Sequence, residues 1–422
     1  MSVKRYCFVL PRFFEGMAGG AETLAGALAL QLAQRGDRID LLTTCARDNR
    51  TWANDFPAGE SSIGGMRVIR FPVDDRDLAA WIPVQCAIHE GKSVSYSDQL
   101  AWMQHSVNSL RLYQYIALNG EGYDAIFFGP YLFGTALWGS QILPHKSVLI
   151  PCLHDEVYAY LDVVASMFRN ARGCLFNAEP EMHLARSLYG DVRGGVVGMG
   201  FEPPTRSEVD SLKPIFEDSA PYIIYLGRKE MGKNVHKLID FFCAGKDRGL
   251  LPESLRLVVL GGGSFSDLHR PESLLRKDVV DLPHIDEAGK RRLLRHALYL
   301  CQPSVNESFS IVLMEAWMVG TPVVVHGECA ITRGHVVESG GGLYFSSIED
   351  FAGVTRYMFE ESNSRLQLAE CGRRYVIQNY SWEATLQRFD RVCKEIFSEA
   401  LDSTALGEKA SRQDSTLHPR TT

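Results

Sequence analysis

The chain of 422 residues lacks several features that would place it in a common class. Its ten cysteines include no CxxC pair, so we expect buried thiols in a reducing compartment rather than disulfides or a metal site. It has no apolar run of about 18 residues and no signal-peptide pattern, so we expect no membrane-spanning helix and no secretory leader. Lys and Arg total 44 against 51 Asp and Glu, with no basic block, so nucleic acid is not an expected partner.

Two common phosphate-binding motifs are also missing. The segment EGMAGGAE (15–22) joins a predicted strand to a predicted helix, but its glycines are not spaced as GxGxxG and no GK[ST] follows. These differences argue against a nicotinamide dehydrogenase and against a P-loop enzyme. Gly19 and Gly20 would still allow the backbone to approach a phosphate closely, although a tight strand-to-helix turn explains them equally well.

The arrangement of apolar segments predicts an α/β fold. A single core stops growing at roughly 250–300 residues, so a chain of this length is expected to form two domains. Strand-like and helix-like segments alternate in two series, starting near residues 5 and 221, which is typical of parallel sheets covered by helices. One longer helix is predicted over 95–118. The predicted divisions are a first domain at 1–203, a linker at 204–216, a second domain at 217–380, a closing helix at 381–401 that packs back on the first domain, and a disordered tail at 402–422.

The segment NESFSIVLMEAWMVGTPVVV (306–325) combines acidic side chains with an apolar helix-like run. Gly320 and Pro322 end the run, so we predict a helix over 309–319 with Ser308 or Ser310 as its N-cap. The free N–H groups and the dipole of a helix N-terminus favour an anion such as phosphate. This segment is therefore expected to bind a phosphorylated ligand.

Glu307 and Glu315 must then serve a different part of that ligand, since carboxylates repel phosphate and accept hydrogen bonds from hydroxyl groups. A nucleoside-diphosphate sugar has phosphates in the middle and hydroxyl groups at both ends. We expect Glu307 to accept the hydroxyls of the sugar and Glu315 those of the ribose. The spacing alone leaves open that both are ordinary solvated glutamates.

Two further loops follow predicted strands, at the sheet edge where α/β proteins bind ligands. In YLGRKEMGKNVHKL (225–238), Arg228 offers a bidentate fork and Lys233 a point charge for a diphosphate. An ordinary charged surface loop would have the same composition. For the glycine loop LGGGSF (260–265) we favour a structural turn.

Several of these segments together resemble a known family. The segments GGAE (19–22), HDE (154–156), GRKEMGKN (227–234) and PSVNESFSIVLMEAWMVGTPVVV (303–325) are similar, in this order, to those of the retaining glycosyltransferases of family 4. YSWEATLQRF (380–389) is similar to the usual end of that family. The resemblance implies the GT-B fold, in which two Rossmann-like domains with parallel sheets face each other across a cleft.

The resemblance also implies roles for individual residues. Arg228 and Lys233 would bind the diphosphate, and Glu307 and Glu315 would form the family's Glu-x7-Glu motif. His154 would reach the donor sugar near the acceptor, although a histidine at a strand end can also be structural. The remaining donor contacts implied are Gly20, whose N–H would bind the distal phosphate, Ser308, Phe309, Ser310 and Ile311 around the helix start, and Leu282 and Pro283 near the base.

The reaction implied is transfer of a hexose with retention of anomeric configuration, without a metal or another cofactor. The leaving phosphate would accept the acceptor's proton, and the two cations would replace a metal because no DxD motif stands in a suitable loop. GDP-mannose and UDP-hexoses are the expected donors, and a saccharide or lipid-linked acceptor in surface polysaccharide or glycoconjugate synthesis is the expected partner. We expect a cytoplasmic protein. Weak contact with the inner membrane surface stays open, because the first domain is slightly acidic where membrane-acting relatives carry a basic helix.

Two other functions remain compatible with the sequence. A nucleotide-sugar epimerase can share the fold, but it would need carboxylates placed for proton transfer, and the sequence does not identify them. A catalytically silent subunit could bind the nucleotide sugar, although intact Glu307, Glu315, Arg228 and Lys233 argue against such decay.

Overall fold

The structure is a computed structural model that describes residues 3–17 and 19–398. The chain forms two α/β lobes. The first lobe contains strands β1 Arg5–Val9, β2 Arg38–Thr44, β3 Gly59–Ile63, β4 Met66–Phe71, β5 Ala125–Phe128, β6 Ser147–Leu149, β7 Gly173–Phe176 and β8 Gly194–Val196. Its helices are α1 Gly20–Arg35, α2 Leu78–His89, α3 Tyr96–Gln104, α4 Leu110–Asn119, α5 Gly134–Ser140, α6 Asp162–Asn170 and α7 Glu179–Tyr189.

A short helix, α8 Arg206–Asp210, connects the first lobe to the second. The second lobe contains strands β9 Tyr222–Leu226, β10 Arg256–Leu260, β11 Val279–Leu282, β12 Leu300–Gln302, β13 Val323–His326 and β14 Gly342–Phe345. The remaining helices are α9 Val235–Asp247, α10 Glu287–His296, α11 Ile311–Met318, α12 Ala330–Ser339, α13 Ile348–Glu360, α14 Ser362–Asn379 and α15 Trp382–Phe397.

Both sheets are doubly wound. The first has the order β3-β4-β2-β1-β5-β6-β7-β8, parallel except for the β3–β4 pair, and the second is the parallel sheet β11-β10-β9-β12-β13-β14. The chain reverses its direction of travel across the sheet between β1 and β5, and again between β9 and β12. Ligands of open α/β sheets bind outside the carboxyl ends of the strands at such switch points.

Burial on both faces explains why the central strands read as continuous apolar runs. All residues of β5 and β13, for example, are buried. Full burial of one large apolar side chain is worth about 1.5–3 kcal/mol, so these strands hold the helices on both sides of each sheet. The two sheets therefore provide rigid supports for the loops that leave their carboxyl ends.

The lobes are joined at two adjacent crossings of the chain. Phe201 lies near the first crossing, and Tyr380 lies directly before the second. The Phe201 N–H donates to the Tyr380 carbonyl at 2.7 Å. The last helix, α15, then lies on the first sheet, where Ile396 packs on Gly173 and Val392 on Gly195. The closing helix thus belongs to the packing of the first lobe, although it follows the second lobe in sequence.

The structure differs from the sequence-based prediction at several elements of the first lobe. The single helix predicted over 95–118 is wrong, because α3 and α4 are separate helices. The Asn108 side chain donates to the carbonyls of Met103, Gln104 and Ser106, which ends α3. Helix α2 and strand β3 were not predicted; β3 is polar and largely exposed, so it has no apolar alternation.

Two further features concern the connections. The predicted linker contains a helical turn, because Thr205 and Glu208 form a capping box at the start of α8. Of the predicted closing helix, residues 382–397 are helical, while 399–401 and the predicted tail at 402–422 lie outside the described residues. Within the described part of the chain, no helix combines the length and the apolarity that a bilayer span requires.

Candidate active site

The predicted site residues of the second lobe gather at the switch point between β9 and β12. Arg228 and Lys233 follow β9, and Glu307 follows β12, its neighbour in the sheet. Lys233 Nζ lies 2.8 Å from Glu307 Oε1, and Gln302 Nε2 donates to the same oxygen at 3.3 Å. The Glu307 side chain is only 11% exposed, so this carboxylate is held in one place by two donors.

The loop that carries Lys233 has a defined shape. Residues 231–233 form a 3₁₀ turn, and Asn234 adopts the left-handed conformation with φ of 60° before α9 begins. Its side-chain amide nitrogen is buried without a partner among the described residues, as is Gln302 Oε1. Buried polar atoms without partners are rare in proteins, so these two atoms suggest a polar ligand nearby.

The Arg228 side chain is more exposed than that of Lys233. Its guanidinium pairs with Glu230 at 2.8 Å, and half of the side chain is exposed. The Tyr225 hydroxyl donates to the Arg228 carbonyl at 2.8 Å, which fixes the backbone but leaves the side chain able to turn. Arg228 therefore lies at the same sheet edge as Lys233, and the two cations pair with different carboxylates.

The start of α11 corrects the predicted helix boundary and cap. The helix spans Ile311–Met318, not 309–319, and Gly320 adopts the expected left-handed conformation with φ of 77°. Ser310 occupies the N-cap position with φ of 68°, but its side chain makes no capping hydrogen bond. Its hydroxyl is buried and has no partner within the described chain. The helix N-terminus thus retains its own unsatisfied N–H groups beside an unused hydroxyl group.

Phe309, one of the donor contacts implied by the resemblance, directs its side chain into the core. Its ring is buried and packs on Phe201, Tyr380 and His335. The preceding residue, Ser308, lies near the Cys152 thiol of the first lobe. Phe309 therefore anchors this loop in the core between the lobes, and only its backbone remains available for a ligand.

The second glutamate of the motif has a cation partner that the sequence analysis missed. Glu315 Oε1 lies 2.6 Å from Lys290 Nζ, and Lys290 also contacts Glu287 at 2.7 Å. Burial raises the pKa of Glu315, and Lys290 opposes this rise. In the sequence, Lys290 is recognisable only as a partner of Glu287, three residues before it on α10. That spacing does not indicate its contact with Glu315.

A cavity of about 260 Å³ lies beside this second pair and is lined by both lobes. Glu315 and Ile311 line it from α11, Lys290 from α10, and Thr23 from α1 of the first lobe. Phe201, near the first crossing between the lobes, closes it on one side. The two glutamates therefore face different surroundings, one at the sheet edge and one in this cavity.

Leu282 and Pro283 lie at the neighbouring strand end, where another missed residue holds the loops together. Lys229 is buried and contacts Asp281 at 2.7 Å, and it donates to the carbonyls of Gly261 and Leu282. A side chain at Gly261 would collide with the Gly227 carbonyl, so the glycine loop at 260–265 is a structural turn, as expected. The Leu282 carbonyl is already used by Lys229.

On the first lobe, the two glycines of the GGAE segment differ in their surroundings. A Cβ at Gly19 would lie 2.7 Å from Glu22 Oε2, whereas a Cβ at Gly20, where α1 begins, would meet no heavy atom within 4 Å. Glu22 is buried and pairs with Arg12 at 3.0 Å. Gly19 is therefore needed for packing against this ion pair, and Gly20 faces open space.

His154 lies in the loop after β6 and faces the second lobe. Its Nδ1 is 3.6 Å from Glu156 Oε1, to which the Tyr131 hydroxyl donates at 3.0 Å. Burial opposes ionisation of Glu156, but His154, Tyr131 and Lys233 outweigh it, so the pKa of Glu156 lies below its usual value. The influence of Lys233 shows that the two strand-end regions face each other across the cleft.

A buried glutamate that the sequence analysis did not single out supports the loop carrying His154. Glu181 on α7 accepts hydrogen bonds from the backbone N–H groups of Leu153 at 2.7 Å and Asn177 at 2.5 Å. Burial raises the pKa of Glu181 to about 8, although these N–H groups favour its charged form. Among the described residues, no group of three or more His, Cys, Asp or Glu is arranged to hold a metal ion.

Comparison with known proteins finds similarity over part of the chain. Residues 208–375 match the family model described as "Glycosyl transferases group 1". The phosphatidyl-myo-inositol mannosyltransferase of Mycobacterium leprae is 32% identical over 33% of this chain and 40% of its own length. The D-inositol 3-phosphate glycosyltransferase of Salinispora arenicola is 31% identical over 45% of this chain and 43% of its own length. The chain thus spans less than half the length of these two relatives.

A match over a longer region is weaker in identity. The D-inositol 3-phosphate glycosyltransferase of Corynebacterium urealyticum is 27% identical over 88% of this chain and 90% of its own length. Among solved structures, sucrose-phosphate synthase from Thermosynechococcus elongatus superposes with a TM-score of 0.68 at 16% identity, covering 93% of this chain and 99% of its own. Anabaena HepE, solved with UDP and glucose, superposes with a TM-score of 0.67 at 15% identity, covering 92% and 98%. The chain therefore has the GT-B fold of glycosyltransferases, and its residues 208–375 match the group 1 glycosyltransferase family.

Proposed function

We propose that this protein transfers a hexose from a nucleoside-diphosphate sugar to a saccharide or lipid-linked acceptor, with retention of anomeric configuration and without a metal. The observation that carries the proposal is the Lys233–Glu307 pair at the β9–β12 switch point, beside the N-terminus of α11. It combines a cation for the diphosphate with a carboxylate for sugar hydroxyls at one sheet edge. The relatives named as mannosyltransferase and glycosyltransferases, and HepE with UDP and glucose, support this assignment.

The proposed donor lies with its diphosphate at the start of α11. There the N–H groups of the helix, Ser310 and the cation of Lys233 stabilise the negative charge that grows on the leaving phosphate. Arg228 is free to turn toward the same phosphate, because its present partner Glu230 lies on an exposed loop. Glu307 accepts hydroxyl groups of the sugar, and before the donor binds it holds Lys233 close to the position of the phosphate.

The first lobe closes the donor site from the other side. Gly20 presents the first N–H of α1 over open space, where a distal phosphate can approach. His154, held through Glu156 and the Glu181-supported loop, faces the sugar and the acceptor. The acceptor hydroxyl attacks from the side of the leaving phosphate, which takes its proton, so the configuration is retained.

The proposal places the ribose beside Glu315, in the cavity that both lobes line, and the base near Leu282 and Pro283. GDP-mannose and UDP-hexoses are the proposed donors. The product would enter surface polysaccharide or glycoconjugate synthesis on the cytoplasmic side.

Donor binding is tested by thermal unfolding with a panel of GDP-, UDP- and ADP-sugars. A ligand at 100 times its Kd adds about 2.7 kcal/mol to the free energy of unfolding, so the matched donor will raise the melting temperature by several degrees. The panel is repeated with EDTA, which will leave the shift unchanged. If no nucleotide sugar stabilises the protein, the proposed function is wrong.

Turnover distinguishes an enzyme from a silent binding subunit. With the matched donor, the purified single chain will hydrolyse or transfer the sugar, and Glu307→Ala will abolish this while retaining the fold. Glu349→Ala, an exposed glutamate on α13, is the matched control and will behave as the wild type. Near-normal turnover by Glu307→Ala would reject the role of this carboxylate.

A further inference from the structure

A second polar cavity lies in the first lobe, away from the cleft. Its volume is about 460 Å³, within the usual range of small-molecule sites. The stacked rings of Phe168 and Tyr189 line it, and so do the side chains of Arg169, Arg172 and Arg193. We call this site the arginine pocket.

The topology of the first sheet explains why these arginines come together. Arg172 directly precedes β7 and Arg193 directly precedes β8, and these two strands are neighbours with Gly194 opposite Cys174. Parallel strands start at the same sheet edge, about 4.8 Å apart. In this register Arg193 lies opposite Gly173, one residue from Arg172, and both arginines line the same cavity. Arg169 joins them from the last turn of α6, the helix that leads into β7.

This edge is opposite to the one that holds the candidate active site. The cleft residues follow the carboxyl ends of strands, whereas the arginine pocket lies at the amino ends of β7 and β8. A ligand in the arginine pocket would therefore be a different molecule, or a different part of one, from the donor in the cleft. The inference below does not depend on the proposed function.

The charge of the pocket is not balanced by the protein. Within residues 3–17 and 19–398, none of the three guanidinium groups has a carboxylate oxygen within 4 Å or a side-chain hydrogen bond. Asp191 also lines the pocket but pairs with none of them. Glu121, near its rim, is already shared by His145 at 3.4 Å and Lys146 at 3.1 Å. This local excess of positive charge stands in a chain whose net charge is −7.

We propose that the arginine pocket binds a phosphate group, as it occurs in small phosphate esters and diphosphates. Guanidinium groups hold phosphate oxygens through bidentate hydrogen bonds, and an anion relieves the repulsion between neighbouring arginines. Phe168 and Tyr189 offer an apolar wall for the body of the ligand. Since Arg169 and Arg193 are exposed to water and Arg172 is half-buried, the binding weakens as salt is added.

The test uses inorganic pyrophosphate as the probe. To keep the cleft from contributing, the titration is done by calorimetry on the full chain carrying Arg228→Ala and Lys233→Ala. Saturable binding near one equivalent is expected, and adding Arg172→Ala and Arg193→Ala will weaken it at least tenfold. Adding Arg356→Ala instead, on the exposed surface of α13, will leave the affinity unchanged.

A second arm distinguishes a free phosphate compound from a lipid headgroup. Flotation is measured with phosphatidylcholine vesicles that contain or lack phosphatidic acid. Arginine-dependent binding to pyrophosphate identifies a soluble ligand, and arginine-dependent binding only to the phosphatidic acid vesicles identifies a lipid source. The inference is overturned if neither probe binds, or if binding survives in the Arg172→Ala, Arg193→Ala variant.

If the proposed function were wrong and the cleft bound no diphosphate, the wild type and the Arg228→Ala, Lys233→Ala variant would bind pyrophosphate equally. The effect of Arg172→Ala and Arg193→Ala would still decide the arginine pocket. The two hypotheses can therefore fail separately.

Discussion

The two glutamates of the 306–325 segment each bind a lysine, but they do so in different settings. Glu307 pairs with Lys233 at 2.8 Å, between two loops at a sheet edge, and both residues belong to motifs that the sequence had indicated. Glu315 pairs with Lys290 at 2.6 Å, between two helices, and its lysine was not indicated. Both carboxylates have little exposure, and each is oriented by its contact with its lysine.

The difference suggests separate roles for the two glutamates of the motif, because one lysine lies on a loop and the other on a helix. A lysine on a loop end can move from a carboxylate to a phosphate, since only a short 3₁₀ turn precedes it. A lysine in a helix, shared between Glu287 and Glu315, stays where it is and keeps Glu315 pointed into the cavity. We therefore expect the first pair to affect turnover and the second to affect donor affinity.

The largest effect is expected at the first pair. Lys233→Ala removes a cation from the proposed leaving phosphate, so kcat/KM will fall by roughly 30- to 900-fold, or about 2–4 kcal/mol of transition-state stabilisation. Arg228→Ala is expected to lose a similar amount. Steady-state kinetics with the matched donor provide the measurement. Losses below tenfold in both variants would contradict the diphosphate assignment.

At the Glu315–Lys290 pair we expect a smaller effect, and we expect it on KM for the donor. Lys290→Met keeps the length of the side chain but removes the charge that opposes protonation of Glu315, so KM for the donor will rise about tenfold, or about 1.4 kcal/mol, with kcat nearly unchanged.

The pH dependence of this variant is diagnostic. Without Lys290, the raised pKa of Glu315 rises further, so less of the carboxylate is ionised at neutral pH. KM of Lys290→Met will therefore fall as pH increases from 6 to 9, more steeply than KM of the wild type. Parallel pH profiles would show that Lys290 does not control this carboxylate.

Glu181 extends the comparison to a buried glutamate held by N–H groups instead of a cation. Its pKa of about 8 in the folded protein exceeds the unfolded value near 4.5, so between these values the folded state binds more protons than the unfolded state. The wild-type free energy of unfolding must fall as pH rises through this window. Glu181→Gln removes the contribution, and its stability relative to the wild type will increase by about 1 kcal/mol per pH unit between pH 5 and 8.

Urea unfolding of both proteins at several pH values measures this slope. The lost hydrogen bond of Glu181→Gln shifts the whole curve by a constant amount and does not affect the slope. A difference between the two proteins that does not change with pH would mean that Glu181 is ionised in the fold throughout this range.

The smallest effect is expected at the exposed end of the second pair. The Glu287 side chain is 72% exposed, and an exposed ion pair contributes only about 0.2–1 kcal/mol. Glu287→Gln will therefore change KM for the donor by less than about fivefold, and less than Lys290→Met does. An effect equal to that of Lys290→Met would mean that Glu287, not Glu315, is the partner that matters.

The fold could be predicted where a run of apolar residues in the sequence coincides with a strand that is buried in the structure. The central strands β9, β10, β12 and β13 are almost entirely buried, so their apolar runs could be recognised in the sequence. The GT-B fold implied by the resemblance is confirmed. Strand β3 could not be found because its residues are polar and it depends on pairing with β4. The break between α3 and α4 depends on one side chain, Asn108, whose hydrogen bonds have no sequence pattern.

The candidate site was predictable only in part, for similar reasons. Glycine loops and charged residues after strands indicated Arg228, Lys233 and Glu307, because strand ends meet at one sheet edge. Lys290 and Glu181 act through neighbours that lie far away in sequence, on helices that the pattern shows but does not orient. Phe309 was named as a donor contact through the resemblance, which carries the position in the motif but not the direction of the side chain, and its ring packs in the core.

The paired crossings near Phe201 and Tyr380 have a mechanical consequence. Because the chain passes between the lobes twice at nearly the same place, with one segment hydrogen-bonded to the other, the two passages act as a hinge with a single axis. Opening or closing of the cleft between the lobes is then a rotation about this axis. Thr23 lines the cavity beside Glu315 from the first lobe, and Glu315 lines it from the second, so a change in the angle between the lobes changes the width of this cavity.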